Sequence, residues 1–170
     1  HNYHWEVVHG YTADLRPNDD GFGIIRFCGD IATDLVVTSG QYGEGATHTN
    51  TYGGTIMGLG MGWDLGFGLL CDFGGNDRYD ATGGLTQGNG AQASIGVLFD
   101  YTGDDVYDGY NQGYASPGIS YHRMPQCGGN FSFLIDYGGN DSYGCGAENN
   151  TYNERGSDTG FLIDRPLPSE

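Results

Sequence analysis

Short apolar runs, each followed at once by an aspartate and a turn, recur along this chain. Three full copies of the unit occupy residues 69–79, 97–107 and 133–143, and each ends in tyrosine. Residues 161–164 begin a fourth copy, and residues 24–30 are interpreted as a degenerate first one. Apolar runs of this length, bounded by turn residues and rich in β-branched and aromatic residues, predict β-strands rather than helices.

The spacing of the copies favours a stack of similar coils. The aspartates that end the apolar runs, Asp72, Asp100, Asp136 and Asp164, follow one another at offsets of 28, 36 and 28 residues. Self-similarity at a period of about 20 to 50 residues is typical of solenoids, in which each unit buries its apolar face against the next. We therefore predict an all-β fold, a short β-solenoid or two-sheet stack of about five coils. An antiparallel β-sandwich is the alternative.

A shorter pattern, in which glutamine precedes a glycine-rich segment, lies between the strand units. It occurs at residues 41–46, 87–91 and 112–115. Its recurrence predicts a second fixed corner in each coil.

Length and composition indicate one folded domain. The chain has 170 residues, and its 13 tyrosines and 8 phenylalanines supply apolar surface for a core despite 33 glycines. We predict a single domain over residues 1–170. Residues 1–22 are expected to form an N-terminal cap or docking segment, residues 23–164 the repeat coils, and residues 165–170 a tail.

The charge of the chain restricts its partners and its location. The net charge is −16 and lysine is absent, which argues against binding to nucleic acid and to anionic membranes. No apolar run approaches the ~18 residues of a membrane span. Because the chain begins at His1, we interpret it as exported, with a signal peptide that is removed or not shown. An extracellular or cell-surface location is predicted, with cations or glycans as suitable partners.

The cysteines are predicted to form disulfides. Cys28, Cys71, Cys127 and Cys145 lack the close C-x-x-C pairs of a structural zinc site, and an oxidising compartment favours two bridges. Cys127–Cys145, which flank one repeat unit, and Cys28–Cys71 are the candidate pairs. An intermolecular link is the alternative.

Stacked coils would align the repeated aspartates in two columns. The first column contains Asp72, Asp100, Asp136 and Asp164, and is interpreted as a turn ladder whose carboxylates accept backbone N–H bonds. The second column contains Asp77, Asp105 and Asp141, preceded in the chain by Asn76, Asp104 and Asn140. Like charges about 4.8 Å apart repel, and a shared cation would offset the repulsion. Because calcium prefers carboxylate and carbonyl oxygens, these six residues are the candidate ligands and calcium is the candidate cofactor.

Two segments carry a resemblance to known families. Residues 74–79 and 138–143 read Gly-Gly-Asn-Asp-x-Tyr, which resembles the core of the calcium-binding nonapeptide repeats of RTX proteins. Those repeats form extracellular parallel β-rolls, so the resemblance implies parallel strands, calcium and export. The longer unit is similar to acidic, Gly/Asp-rich β-solenoid repeats of prokaryotic cell surfaces. The overall profile resembles archaeal sheath and surface-layer proteins, which implies a structural role.

The sequence contains no recognisable catalytic motif. Nucleophile elbows, phosphate loops and HExxH strings are absent, and 22 acidic residues make any single carboxylate pair uninformative. We predict a structural, self-assembling protein rather than an enzyme, such as a subunit of a sheath, filament or surface layer. One alternative is a calcium-stabilised module that binds glycan or protein. Another is a secreted copper enzyme in which His1 and a second histidine form an N-terminal brace.

Overall fold

The computed structural model describes residues 22–27, 33–38, 51–54, 57–63, 67–72, 74–81, 84–116 and 130–167. These residues form β-strands and connecting turns without a helix, which confirms the predicted all-β class. The described part of the chain therefore has no helix that could cross a membrane. The strands are β1 (Phe22–Phe27), β2 (Thr33–Thr38), β3 (Thr51–Gly54), β4 (Met57–Gly58), β5 (Gly62–Trp63), β6 (Phe67–Asp72), β7 (Arg78–Ala81), β8 (Leu85–Thr86), β9 (Gly90–Ala91), β10 (Ile95–Asp100), β11 (Val106–Asp108), β12 (Phe131–Tyr137), β13 (Ser142–Tyr143), β14 (Tyr152–Glu154) and β15 (Thr159–Arg165).

The largest sheet has seven strands in the order β1-β2-β6-β10-β12-β15-β14. The five strands from β2 to β15 are parallel, and they pair in register, so that Leu98 lies between Leu70 and Leu134. β1 and β14 run antiparallel to their neighbours and form the two edges of the sheet. The parallel pairing of the central strands differs from that of the antiparallel sandwich considered as the alternative.

A second sheet, smaller and entirely parallel, has the order β13-β11-β7-β3. Its register aligns Tyr79 with Tyr107 and Tyr107 with Tyr143. Two further pairs of short parallel strands, β4 with β8 and β5 with β9, complete the described sheets. From β6 to β10 the chain therefore leaves the large sheet, passes through the smaller sheet and a glycine-rich corner, and returns one strand further along.

The first copy of the repeat is β2, not the segment around β1. The interpretation of residues 24–30 as that copy is wrong, because β1 is antiparallel to β2. It is β2 whose Leu35 and Val36 pair in register with Leu69 and Leu70. The apolar run of β2 is not followed by an aspartate and two glycines, which is why motif alignment missed it.

Glycines in the turns allow consecutive repeat units to approach closely. Gly88 has a φ of +75°, and a Cβ added to it would lie 2.1 Å from the carbonyl oxygen of Phe133. Gly60 and Gly113 occupy equivalent positions, with φ values of +77° and +60°. Since only glycine combines this φ with such an approach, the corner residues are dictated by coil spacing.

The glutamines of the corner pattern hold the backbone rather than a ligand. Gln87 Nε2 donates to the carbonyl oxygen of Tyr79 at 2.9 Å, and Gln112 Nε2 donates to that of Tyr107 at 2.8 Å. In the preceding repeat unit Gly62 is the partner of Gly90, and no glutamine stands three residues before it, where Gln87 stands before Gly90. The other predicted copy of the pattern, residues 41–46, lies outside the described residues.

The core lies between the large and the smaller sheet. Leucines at one inward position of four parallel strands are fully buried, namely Leu70, Leu98, Leu134 and Leu162. They form one cluster with Leu59 and the three aligned tyrosines. Burial of each such side chain stabilises the fold by about 1.5 to 3 kcal/mol. Two residues after each leucine the same inward face carries an aspartate, which brings carboxylates to the edge of this core.

Candidate metal centre

The first column of aspartates lies in register along the inner face of the large sheet. Asp100 pairs with Asp72 on one side and with Asp136 on the other, and Asp136 pairs with Asp164. All four are at most 2% exposed. Asp72 Oδ1 accepts the backbone N–H of Gly74 at 3.1 Å, the bond expected of a turn ladder.

Stacked tyrosines bind the later members of this column. The rings of Tyr79 and Tyr107 stack with centroids 4.7 Å apart, and those of Tyr107 and Tyr143 with centroids 5.0 Å apart. The Tyr79 hydroxyl donates to Asp100. The Tyr143 hydroxyl lies 3.0 Å from Oδ2 of both Asp136 and Asp164. The tyrosines of the smaller sheet therefore join it to the aspartates of the large sheet.

The second column is a chain of hydrogen bonds from coil to coil. The backbone N–H of Asp77 donates to Asp105 Oδ1 at 2.6 Å, and the N–H of Asp105 donates to Asp141 Oδ1 at 2.8 Å. The N–H of Asp141 donates to Asn149 Oδ1 at 2.6 Å, so an asparagine replaces the aspartate at the end of the column. In Asp105 and Asp141 one carboxylate oxygen is thus used by the backbone.

Asn76, Asp104 and Asn140 form a separate ladder on the surface. Asp104 N–H donates to Asn76 Oδ1 at 3.0 Å, and Asn140 N–H donates to Asp104 Oδ1 at 2.9 Å. All three are exposed, and two of them line an open groove of about 490 Å³. The structure does not bring these three predicted ligands into the buried clusters.

The structure instead combines the two columns. Carboxylate oxygens of Asp77, Asp100 and Asp105 lie within 4.8 Å of one another, and the same holds for Asp105, Asp136 and Asp141. Asp105 belongs to both groups. Asp100 and Asp136 were expected to hold turns, so the sequence reasoning missed them as partners of the second column. The available signal was the five-residue offset from Asp100 to Asp105, across the turn that links β10 to β11.

Burial and mutual repulsion raise the pKa values of Asp100, Asp105, Asp136 and Asp141. Desolvation is the largest cause throughout. It raises the pKa of Asp136 to about 9, with Asp141 and Asp105 contributing repulsion. The pKa of Asp105 rises to about 7 and that of Asp141 to about 6, although a backbone N–H bond to each lowers it. The pKa of Asp100 is also raised well above its usual range.

Several polar atoms at the centre of the two clusters make no hydrogen bond. These buried atoms are Asp100 Oδ1, Asp105 Oδ2, Asp136 Oδ1 and Asp141 Oδ2. A buried polar atom left without a partner costs about 1 to 3 kcal/mol, and more if charged. Native folds avoid such concentrations, so these atoms point to an occupant between the columns: protons, water or a cation.

The predicted disulfides fall partly outside the described residues. Cys145 carries a free thiol, and its candidate partner Cys127 lies outside the described residues. Cys71 is half-buried on the outer face of β6, and burial together with the Asp72 carboxylate raises the pKa of its thiol to about 11. Cys28 lies outside the described residues too, as does His1 of the copper-brace alternative, so these pairings and the brace stay predictions.

Comparison with known proteins leaves the chain without an assigned family. No protein-family model, no curated protein and no solved structure matches it.

Proposed function

We propose that the chain is a β-solenoid subunit of an extracellular structural assembly, such as a sheath, filament or surface layer, and that it binds copies of itself through the large sheet. The in-register parallel strands, spaced by one repeat, support the solenoid. Its acidic, glycine-rich composition and its resemblance to prokaryotic surface proteins support the location. No catalytic step belongs to this proposal.

The observation that carries the proposal is the apolar outer face of the large sheet. Along β6, β10, β12 and β15, inward positions are buried, whereas the alternate outward positions remain partly exposed. Sheets that face water usually alternate apolar and polar residues. Here the outward rows are almost entirely apolar, and include Leu69, Val97, Phe133 and Phe161. Ile95 is 40% exposed and Phe131 is 42% exposed.

Aromatic rings on this face form contacts across strands. The rings of Phe99 and Tyr137 have centroids 5.9 Å apart, and those of Phe133 and Phe161 have centroids 5.7 Å apart. Four strands of about six residues cover roughly 19 by 20 Å, or on the order of 400 Å². An exposed apolar patch of a few hundred Å² marks an interaction surface. This outer face is therefore large enough to serve as one.

A second copy of the chain suits this surface. The outward positions of the four strands carry no acidic residue, so two chains of net charge −16 meet there with little local repulsion. Rows of similar side chains repeat at the strand spacing of about 4.8 Å, which makes the face complementary to itself. Two such faces can pack about 10 Å apart, as in stacked sheets.

Sedimentation velocity and negative-stain microscopy of the purified chain test the proposal. We expect concentration-dependent oligomers, and we expect Val97→Arg or Phe133→Arg to shift them to monomer. Tyr110→Arg is the matched control, because Tyr110 is 78% exposed and lies outside the sheet. A chain that remains monomeric at all concentrations, or a control that dissociates oligomers equally, would contradict the proposal.

A further inference from the structure

We propose that two divalent cations, with calcium preferred, bind between the two aspartate columns and share the carboxylate of Asp105. One site consists of Asp105, Asp136 and Asp141, and the other of Asp77, Asp100 and Asp105. This inference does not rest on self-association, because the clusters lie on the inner side of the sheet.

Unpartnered oxygens define the first site. Each of Asp105, Asp136 and Asp141 has a buried carboxylate oxygen that makes no hydrogen bond. The hydroxyl of Tyr107, a residue with no exposed surface, faces the same carboxylates, since those of Asp136, Asp100 and Asp105 raise its pKa. Neutral and anionic oxygens thus converge on one buried point.

The dimensions and donor type of both clusters fit calcium. Their oxygens lie within 4.8 Å of one another. Oxygens bound to one calcium ion at about 2.4 Å lie no more than about 4.8 Å apart, so both clusters are compact enough for their oxygens to share one ion. The donors are all oxygens, which hard cations select, whereas zinc and copper favour nitrogen and sulfur ligands. Magnesium binds at about 2.0 to 2.1 Å and gives up its water reluctantly, so an enclosed site disfavours it.

Charge balance also favours two cations. The five aspartates of the two clusters carry five negative charges when ionised, which two divalent cations reduce to one. Among the residues whose side chains the structure describes, arginine does not supply this compensation. Arg78 and Arg165 are exposed, with Arg78 paired to Asp108, and Arg155 donates to the backbone carbonyl of Tyr110. A buried charge without a counter-charge is strongly unfavourable, so cations fill this role.

Asp105 is suited to bridge the two sites. Its Oδ1 already accepts the N–H of Asp77, which fixes the carboxylate, while its Oδ2 has no partner. Because the clusters repeat with the coils, the two cations would lie about one strand spacing apart, ~4.8 Å. A carboxylate between two cations reduces their repulsion.

Calcium titration of the metal-free full chain by calorimetry tests the inference. We expect two calcium ions per chain, with magnesium binding at least about 10-fold more weakly. Asp105→Asn keeps the acceptor for Asp77 N–H but removes the shared charge, so it should weaken both sites by about 100-fold or more. Asp136→Asn should remove one ion of the two. Asp104→Asn is the matched control, since it removes the same charge one residue away on the surface and should retain both ions.

Thermal unfolding with and without calcium provides a second test. It applies even if a variant binds calcium poorly for a reason other than the loss of a ligand. Without metal, Asp105→Asn should raise the melting temperature because it relieves repulsion, and with calcium it should melt below the unsubstituted chain. Substitution of an aspartate with a purely structural role would not reverse the order of the two melting temperatures when calcium is added. The inference is overturned if the unsubstituted chain neither binds calcium nor is stabilised by it. It is equally overturned if Asp104→Asn lowers binding as much as Asp105→Asn.

Discussion

The backbone N–H of Asp77 donates a 2.6 Å hydrogen bond to the side chain of Asp105, which occupies the equivalent position one coil later. The same relationship links Asp105 to Asp141 at 2.8 Å. Each turn aspartate therefore completes the backbone hydrogen bonding of the preceding coil. This bond explains why a buried carboxylate is tolerated in each of these turns, because a buried turn N–H needs an acceptor.

Replacing Asp105 by alanine should cost more stability than replacing it by asparagine. Both changes remove the charge, but only asparagine retains an oxygen for the Asp77 N–H. The buried N–H that alanine leaves unpaired costs about 1 to 3 kcal/mol. Urea unfolding of the two metal-free variants measures the difference. Equal stability of the two would show that the coil-to-coil bond contributes nothing.

Removing the hydroxyl of Tyr143 should destabilise the end of the stack. This hydroxyl lies 3.0 Å from Oδ2 of Asp136 and of Asp164, all within the core. Tyr143→Phe is expected to lower the free energy of unfolding by about 1 to 3 kcal/mol, because the buried carboxyl groups of Asp136 and Asp164 lose the hydroxyl that they share. Tyr110→Phe is the control, since that side chain is 78% exposed, and it should change stability by less than about 0.5 kcal/mol. A similar small effect at both positions would contradict the assigned role of the Tyr143 hydroxyl.

Two glycines allow the cost of backbone strain to be measured separately from the cost of steric crowding. Gly88 and Gly146 have similar φ values, +75° and +80°. A Cβ at Gly88 would meet the Phe133 carbonyl oxygen at 2.1 Å, whereas a Cβ at Gly146 would meet nothing within 4 Å. Gly146→Ala should cost about 1 kcal/mol from the left-handed backbone alone. Gly88→Ala should cost at least about 3 kcal/mol, since backbone must also move. Circular dichroism melts of both variants measure the contrast, and equal losses would show that the corner is not crowded.

Much of the strand arrangement could be predicted because the repeat is regular. The all-β class and the alignment of Leu70, Leu98, Leu134 and Leu162 follow from matching apolar runs with a constant turn. β2 lacks that turn, so only its register with β6 identifies it as a member of the row of parallel strands. Similarity of motif identifies the residues of the turn. Whether a segment belongs to the repeat depends instead on an apolar strand that pairs with its neighbour.

The site was harder to predict because it joins residues from both sides of a turn. The sequence places Asp104 and Asp105 side by side, and it does not show which of them faces inward. In the structure Asp104 is exposed and Asp105 is 1% exposed. The sequence predicts that Asp100 holds its own turn, yet the structure brings its carboxylate close to that of Asp105. Which of two adjacent aspartates faces inward depends on the geometry of the turn. The residue types alone do not specify that geometry.

Without metal, the stability of the chain should fall as the pH rises from about 4 to about 9. The pKa of Asp141 is raised to about 6, that of Asp105 to about 7 and that of Asp136 to about 9, all above the usual value of 3.8. A carboxyl group whose pKa is higher in the folded state binds its proton more tightly there. Its contribution to stability is therefore complete below the unfolded-state pKa and is lost as the pH rises through the folded-state value. The facing groups, Tyr107 and Tyr143, remain neutral over this range because burial also raises their pKa values.

Urea unfolding of the metal-free chain at about pH 5 and about pH 8 measures this dependence. Each aspartate that titrates only in the unfolded state contributes a slope of about 1.4 kcal/mol per pH unit, so several together produce a large loss. Calcium should reverse the trend, because a cation competes with protons for the same oxygens and binds best when the carboxyl groups are ionised. If the metal-free chain instead gains stability on going to pH 8, the buried aspartates are ionised and compensated without metal. The raised pKa values would then be wrong, and the clusters would not need a cation.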